Sequence, residues 1–225
     1  MSIPSNSKNV KRAYRSDRRR QQAAATRREI ISAAGRLFAR DGYVATTMNA
    51  VAVEAEVAVE TIYRSFEGKA GLIEAVVVAA VAGGAERAER VVEDRPAIRN
   101  VIEESDPRRK LELYAATQPG IHTRSAPLLR ALRAGASVEP GLGDVLARLE
   151  NQRLDGLSRL AQHLQDIGAL RDGLSVEEAR DLIWTINSQV IFDLLVVDRG
   201  WSLDRYERWI ASMMIRSLLD STFLG

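Results

Sequence analysis

The chain has 225 residues, 46% of them hydrophobic and 28% charged, with a net charge of +2 and no cysteine. This is the composition of a soluble globular protein, and the missing thiols exclude disulfides, thiolate zinc sites and a cysteine nucleophile. The most apolar run, Ala75 to Ala82, is far shorter than the roughly 18 residues that a spanning helix needs, and the basic, polar amino terminus is unlike a secretory signal, so the expected location is the cytoplasm.

At this length one large domain or a small one joined to a larger one both fit. The charge is unevenly spread. Residues 1–28 hold nine Lys and Arg against Asp17 alone, a net +8, which leaves −6 on the rest of the chain. A basic arm on an acidic body suits a polyanionic partner; it also suits a solvated tail. Residues 1–22 show no apolar periodicity and predict a flexible basic arm. Thr26-Arg27-Arg28-Glu29 has the S/T-x-x-E pattern of a capping box and predicts a helix start. Ile30, Ala33, Ala34, Leu37 and Phe38 then recur at helical spacing until Asp41-Gly42 stops the run.

Thr46-Thr47 offers the next cap, ahead of Met48, Val51, Ala52 and Ala55 on one face of a short helix. After a break at Glu56-Val57, Val59, Ile62 and Phe66 share a face of a third helix, and two short helices so joined read as helix-turn-helix. Lys69 opens a longer helix to about Val92, interrupted at Gly83-Gly84. Asp94 to Pro107 reads as a break, and Asp106-Pro107 as the cap and first residue of the following helix. Pro119-Gly120 should kink or end that helix, helical spacing resumes from Ala126 to Ala134, and Gly135 to Gly143 reads as a loop. A long amphipathic helix spans about Leu142 to Gln165. Ser175 with Glu178 forms another capping box, before a helix that is apolar nearly all round from Ile183 to Val197. Asp198-Arg199-Gly200 ends it, and Ser202 caps a last helix with Tyr206, Ile210, Met213, Met214, Ser217 and Leu218 inward. No segment alternates with period two long enough for a strand, so the fold class is all-α.

Between Gly42 and Leu72 the sequence reads GYVATTMNAVAVEAEVAVETIYRSFEGKAGL. With Gly42, Tyr43, Thr46, Thr47, Ala52, Val57, Thr61, Ile62, Tyr63, Phe66, Lys69 and Leu72 as landmarks, it resembles the DNA-binding domain of the TetR family, closely over about residues 26–75. The resemblance implies a flexible arm at 1–22, a helix-turn-helix domain at 23–70 and a helical ligand-binding and dimerisation domain at 71–225. Val57, Ile62 and Phe66 pack the two helices together, which leaves Ala58, Glu60, Thr61, Tyr63 and Arg64 facing outward toward a major groove. Arg64 suits guanine, Glu60 suits cytosine N4, and Val59 or Ala58 suits a thymine methyl; Glu60 equally suits a cap. Thr46 and Thr47, at a helix amino terminus, are placed to hold a phosphate. By resemblance Tyr63 and Lys69 touch the backbone, though Tyr63 also fits half-buried packing and Lys69 a solvated charge. The recognition helix carries no net charge, so the arm, Arg27, Arg28 and Lys69 must supply the attraction. Two residues depart from the family pattern. Glu56 stands where a left-handed glycine is usual, so the turn is either strained or rearranged, and Ala58 replaces the usual Ser or Thr cap.

For the carboxy-terminal part, the resemblance implies a ligand pocket and a homodimer built by the last two helices. The apolar run from Ile183 to Val197 fits that dimer interface and also fits burial within one chain. Tyr114, Gln118, His122, Trp184 and Asn187 are polar groups within apolar helices, as expected around a small apolar or amphipathic effector, although each is also an ordinary core residue. His122 and His163 are the only histidines, and neither has carboxylates at metal-binding spacing, so no metal site is expected. No cofactor is expected, and no nucleophile elbow, P-loop, dinucleotide fingerprint or zinc-protease motif marks an enzyme. The expected function is a repressor that leaves a pseudo-palindromic double-stranded operator when ligand binds, with the Lys69–Val92 helix relaying the change and Gly83-Gly84 as its flexible point. An activator or a helical adaptor keeps the same fold, but an adaptor gains nothing from the basic arm.

Overall fold

The computed structural model describes residues 7–223, and of residues 7–16 the backbone alone. It is all-α, with no strand among the described residues. The helices are α1 (Ser7–Ala45), α2 (Met48–Glu54), α3 (Val59–Phe66), α4 (Lys69–Ala82), α5 (Ala85–Ala88), α6 (Pro96–Glu103), α7 (Pro107–Ala136), α8 (Gly141–Asp166), α9 (Val176–Ile186), α10 (Gln189–Phe192) and α11 (Leu203–Leu218). A π-helical stretch, Asp193–Asp198, extends α10.

Most predicted caps are present. Thr47 accepts the Ala50 amide at the start of α2, Asp106 accepts that of Arg109 at α7, and Ser202 accepts that of Arg205 at α11. Ser175 and Glu178 close a reciprocal capping box at α9. Gly42 leaves the helical conformation at φ 79°, so α1 breaks where the Asp41-Gly42 stop predicts.

Five boundaries differ from the expectations. The backbone is already helical from Ser7, so Thr26 lies inside α1 and does not start it; the Ala-, Arg- and Gln-rich segment before it consists of good helix formers. The helix from Lys69 ends at Ala82, because Gly83 and Gly84 both take positive φ (84° and 136°) and turn their amides back onto Ala80 and Ala79. The stretch from Asp94 to Pro107 contains α6, with Pro96 in its first turn. Pro119-Gly120 does not end α7. The proline removes only the bond to the Ala115 carbonyl, and the packing of α7 into both apolar cores carries the helix through. Finally, the apolar run from Ile183 breaks at Asn187, and Ser188 caps a new helix by accepting the Ile191 amide.

Two apolar cores result. The first joins α1–α4 to the end of α7 and the start of α8 through Ile30, Phe38, Val51, Leu72, Leu132 and Leu142, among others. The second joins α7, α8, α9, α10 and α11 through Leu111, Leu164, Ile183, Phe192, Tyr206 and Met214, among others. Helix α7 contributes to both, so one continuous helix links the helix-turn-helix to the carboxy-terminal body.

Candidate nucleic-acid interface

Helix α3 is held by Ile62 (0% exposed) and Phe66 (4%). Burying two side chains of that size contributes about 1.5–3 kcal/mol each, enough to fix an eight-residue helix that would not persist alone in water. Arg27 on α1 braces its far end: the guanidinium lies 4.1 Å over the Phe66 ring and donates to the Ser65 carbonyl at 2.5 Å. A cation on the last carbonyls of a helix is favoured by the helix dipole. At the near end Glu56 keeps the left-handed turn, with φ 54°, and Ala58 provides no side-chain cap.

This anchoring turns one face outward. Ala58, Glu60, Tyr63 and Arg64 are exposed, Tyr63 by 53%, while Val59 and Thr61 are half-buried. The spacing of Glu60, Tyr63 and Arg64 puts their side chains on one ridge of α3.

The remaining predicted contacts divide. Thr47 is exposed at the start of α2, but Thr46 is buried and its hydroxyl donates to the Gly42 carbonyl at 2.7 Å. Arg27 is occupied as described, and Arg28 pairs with Glu89 at 3.1 Å. Lys69, half-buried at the start of α4, stacks 4.2 Å over the Tyr43 ring and donates to the Val44 carbonyl at 3.4 Å. Burial pulls its ammonium pKa down, against the opposing charge of Glu139. On the arm, Arg18, Arg19 and Arg20 are exposed, and Arg20 pairs with Asp17. Residues 1–6 and the side chains of Lys8, Lys11, Arg12 and Arg15 lie outside the described residues.

Sequence reasoning missed the contact that ties this domain to the body. Tyr43 stacks on Phe38 and donates its hydroxyl to Glu139, beyond the end of α7, at 2.8 Å. Burial first, then the Glu139 carboxylate, raises the pKa of that phenol. A landmark tyrosine singled out the residue, but nothing in the sequence pointed to its partner 96 positions away.

Of the five predicted pocket residues, three meet in the second core. Asn187 donates its amide to the Tyr114 hydroxyl at 2.8 Å, and its amide oxygen lies 2.9 Å from His122 Nε2. Gln118 is buried nearby in α7, bonded within its own turn, whereas Trp184 is 38% exposed and donates to Glu150. A groove of about 450 Å³ between α8 and α9, lined by Ser158, Gln162, Asp166 and Arg180 among others, includes none of the five. Among the described residues, no cluster of potential metal ligands is present and no helix is long and apolar enough to cross a membrane.

Comparison with known proteins agrees with this architecture. Residues 30–76 match the family described as bacterial regulatory proteins, tetR family. An HTH-type transcriptional regulator of Mycobacterium tuberculosis is 26% identical over 195 residues, covering 86% of this chain and 88% of its own. A TetR-family transcriptional regulator from Mesorhizobium loti shares the fold with a TM-score of 0.66 at 21% identity, over 87% of this chain and 96% of its own. The transcriptional regulator FadR from Bacillus subtilis, solved with stearoyl-CoA, also reaches 0.66, at 19% identity over 84% and 97%. With its helix-turn-helix on α2 and α3 and an all-helical body behind it, the chain resembles the TetR-family bacterial transcriptional regulators, and its residues 30–76 match that family.

Proposed function

We propose that the protein is a repressor that binds a pseudo-palindromic operator as a homodimer and leaves it when a small apolar or amphipathic molecule occupies the carboxy-terminal body. The observation that carries this reading is the outward ridge of α3, Glu60, Tyr63 and Arg64, on a helix anchored by buried Ile62 and Phe66 and braced at its far end by Arg27. Arg64 reads guanine, Glu60 reads cytosine, and Ala58, Val59 and Thr61 meet methyl or sugar edges. Thr47 and Tyr63 hold phosphates, while Arg18 and Arg19 add sequence-independent attraction. Thr46, Arg27, Arg28 and Lys69 act one step back, by fixing the elements that make these contacts.

The dimer forms through the last helices, where Val190, Leu194 and Val197 are each about half exposed. Tyr114, His122 and Asn187 line the effector site, with Gln118 behind them and Trp184 at its outer edge. Arg124, two residues after His122 on α7, donates to the Ala80 carbonyl at the end of α4 at 2.8 Å. A shift of α7 on ligand binding therefore moves α4, and α4 moves the recognition helix; the ligand acts by its different affinity for the two arrangements. The stearoyl-CoA complex of the B. subtilis regulator is a precedent for a ligand in this fold.

Selection of bound duplexes from a random DNA pool tests the reading. The expected product is a pseudo-palindrome whose half-sites lie about 34–36 Å apart. A pool that stays unenriched, or a single unrepeated half-site, overturns the dimeric-operator reading.

A further inference from the structure

Two buried polar atoms in the second core have no partner: His122 Nδ1 and the Tyr206 hydroxyl. Both residues are enclosed, at 6% and 0% exposure. Their rings lie 6.1 Å apart, and the Phe192 ring packs on each at 5.3 Å. The hydrogen-bond chain fixes the proton on the imidazole. Asn187 spends its amide N–H on Tyr114, so its oxygen faces His122 Nε2, which must carry the hydrogen. Burial pushes the His122 pKa down and keeps the ring neutral. Nδ1 is then a bare acceptor beside a phenol that both donates and accepts.

The charges facing this pair are already committed. Arg153 donates to the carbonyls of Trp184 and Asn187 at 2.6 and 2.7 Å and pairs with Glu150 at 2.9 Å. Asp193 is held by Arg130 at 2.6 Å and by Gln189 at 2.7 Å. A carboxylate ligand would find no free cation here and an ammonium no free anion, so either would lose its hydration without compensation. A neutral group with one O–H or N–H meets the need of Nδ1. Phe192 leads directly into the π-helical stretch, an irregular form of helix that is frequent at functional sites, which makes it the candidate for a wall that yields.

We propose that His122 and Tyr206 are the polar anchor of an effector site for an uncharged, mainly apolar molecule bearing a hydroxyl or N–H donor, with Phe192 as its movable wall. This rests on the reading of the carboxy-terminal body as the ligand-responsive part. The test is calorimetric titration of the full chain with 1-naphthol, naphthalene, 1-naphthoate and 1-naphthylmethylammonium at neutral pH, repeated on Tyr206→Phe with thermal unfolding alongside. The naphthol should bind at least about tenfold more tightly than the other three, and Tyr206→Phe should weaken it by about tenfold while raising Tm, because the variant removes an unpaired buried hydroxyl. Tighter or equal binding of a charged congener, no binding of naphthol, or a fall in Tm for Tyr206→Phe would overturn the proposal; the last result would mean that solvent already satisfies the hydroxyl. Operator binding by the same preparation separates the two readings. DNA binding without naphthol binding removes the site and leaves the regulator, and naphthol binding without DNA binding does the reverse.

Discussion

Among the described residues, Glu56 and Glu67 are the two non-glycine residues with positive φ, at 54° and 55°, and they bracket α3. Left-handed backbone costs an L-residue about 1–2 kcal/mol, so the recognition helix is held between two strained turns by the packing of Ile62 and Phe66. Replacing Glu56→Gly should raise stability by about 1 kcal/mol, seen as a higher urea midpoint with an unchanged slope. The strain at Glu56 was legible, because the family pattern places glycine there; that at Glu67 was not, since only the packed structure shows where α3 must stop. The tyrosines make a second prediction. Burial raises the pKa of Tyr43, Tyr114 and Tyr206, that of Tyr114 to about 12. An unfolded tyrosine loses its proton near pH 10, whereas these keep theirs, so above pH 10 the native state binds more protons than the unfolded one. Stability is therefore fully present below pH 10 and should fall as the pH rises toward 12, by up to about 1.4 kcal/mol per unit for each tyrosine. Denaturant titrations at successive pH values measure this slope.

At the scale of elements, the capped helix starts were readable because one short polar side chain satisfies a local amide, as at Thr47, Asp106, Ser175 and Ser202. The errors came where a local signal lost to its surroundings. Pro119 sits inside α7 because the packing of that helix into both cores outweighs the one hydrogen bond lost at the Ala115 carbonyl. Asn187 reads in the sequence as a polar group within an apolar helix and is in fact the end of α9, followed by Ser188 as the cap of α10. The α7–α8 corner was likewise invisible as a contact. A Cβ added to Gly135 would lie 2.8 Å from both Tyr43 Cδ1 and Leu142 Cδ1, so the glycine lets α7 approach the Tyr43 ring. Gly135→Ala should destabilise the protein by about 1–3 kcal/mol through overpacking, a fall in Tm of about 2–4 °C per kcal/mol in a thermal scan.

Across the whole molecule, the layout of charge and core gives each part a task. The basic segment and α3 lie at one end, the buried polar chain from Tyr114 to His122 lies at the other, and α7 joins the two cores. The sequence was enough to find the helix-turn-helix and all its outward residues but Thr61, which is half-buried, since their identities follow from apolar spacing and a dense local pattern. It did not show that Arg27, Arg28 and Lys69 have partners within the fold, because those partners are backbone carbonyls, two aromatic rings and a distant carboxylate. The central claim, that the ridge of α3 reads DNA, is tested most directly by fluorescence anisotropy on the selected operator across a salt series, with Tyr63→Ala and a deletion of residues 1–22 beside the intact chain. The account predicts tight, sequence-dependent binding that weakens steeply with salt, an affinity about tenfold lower in Tyr63→Ala, and a shallower salt slope without the arm. Binding that ignores sequence and is unchanged by Tyr63→Ala would contradict it.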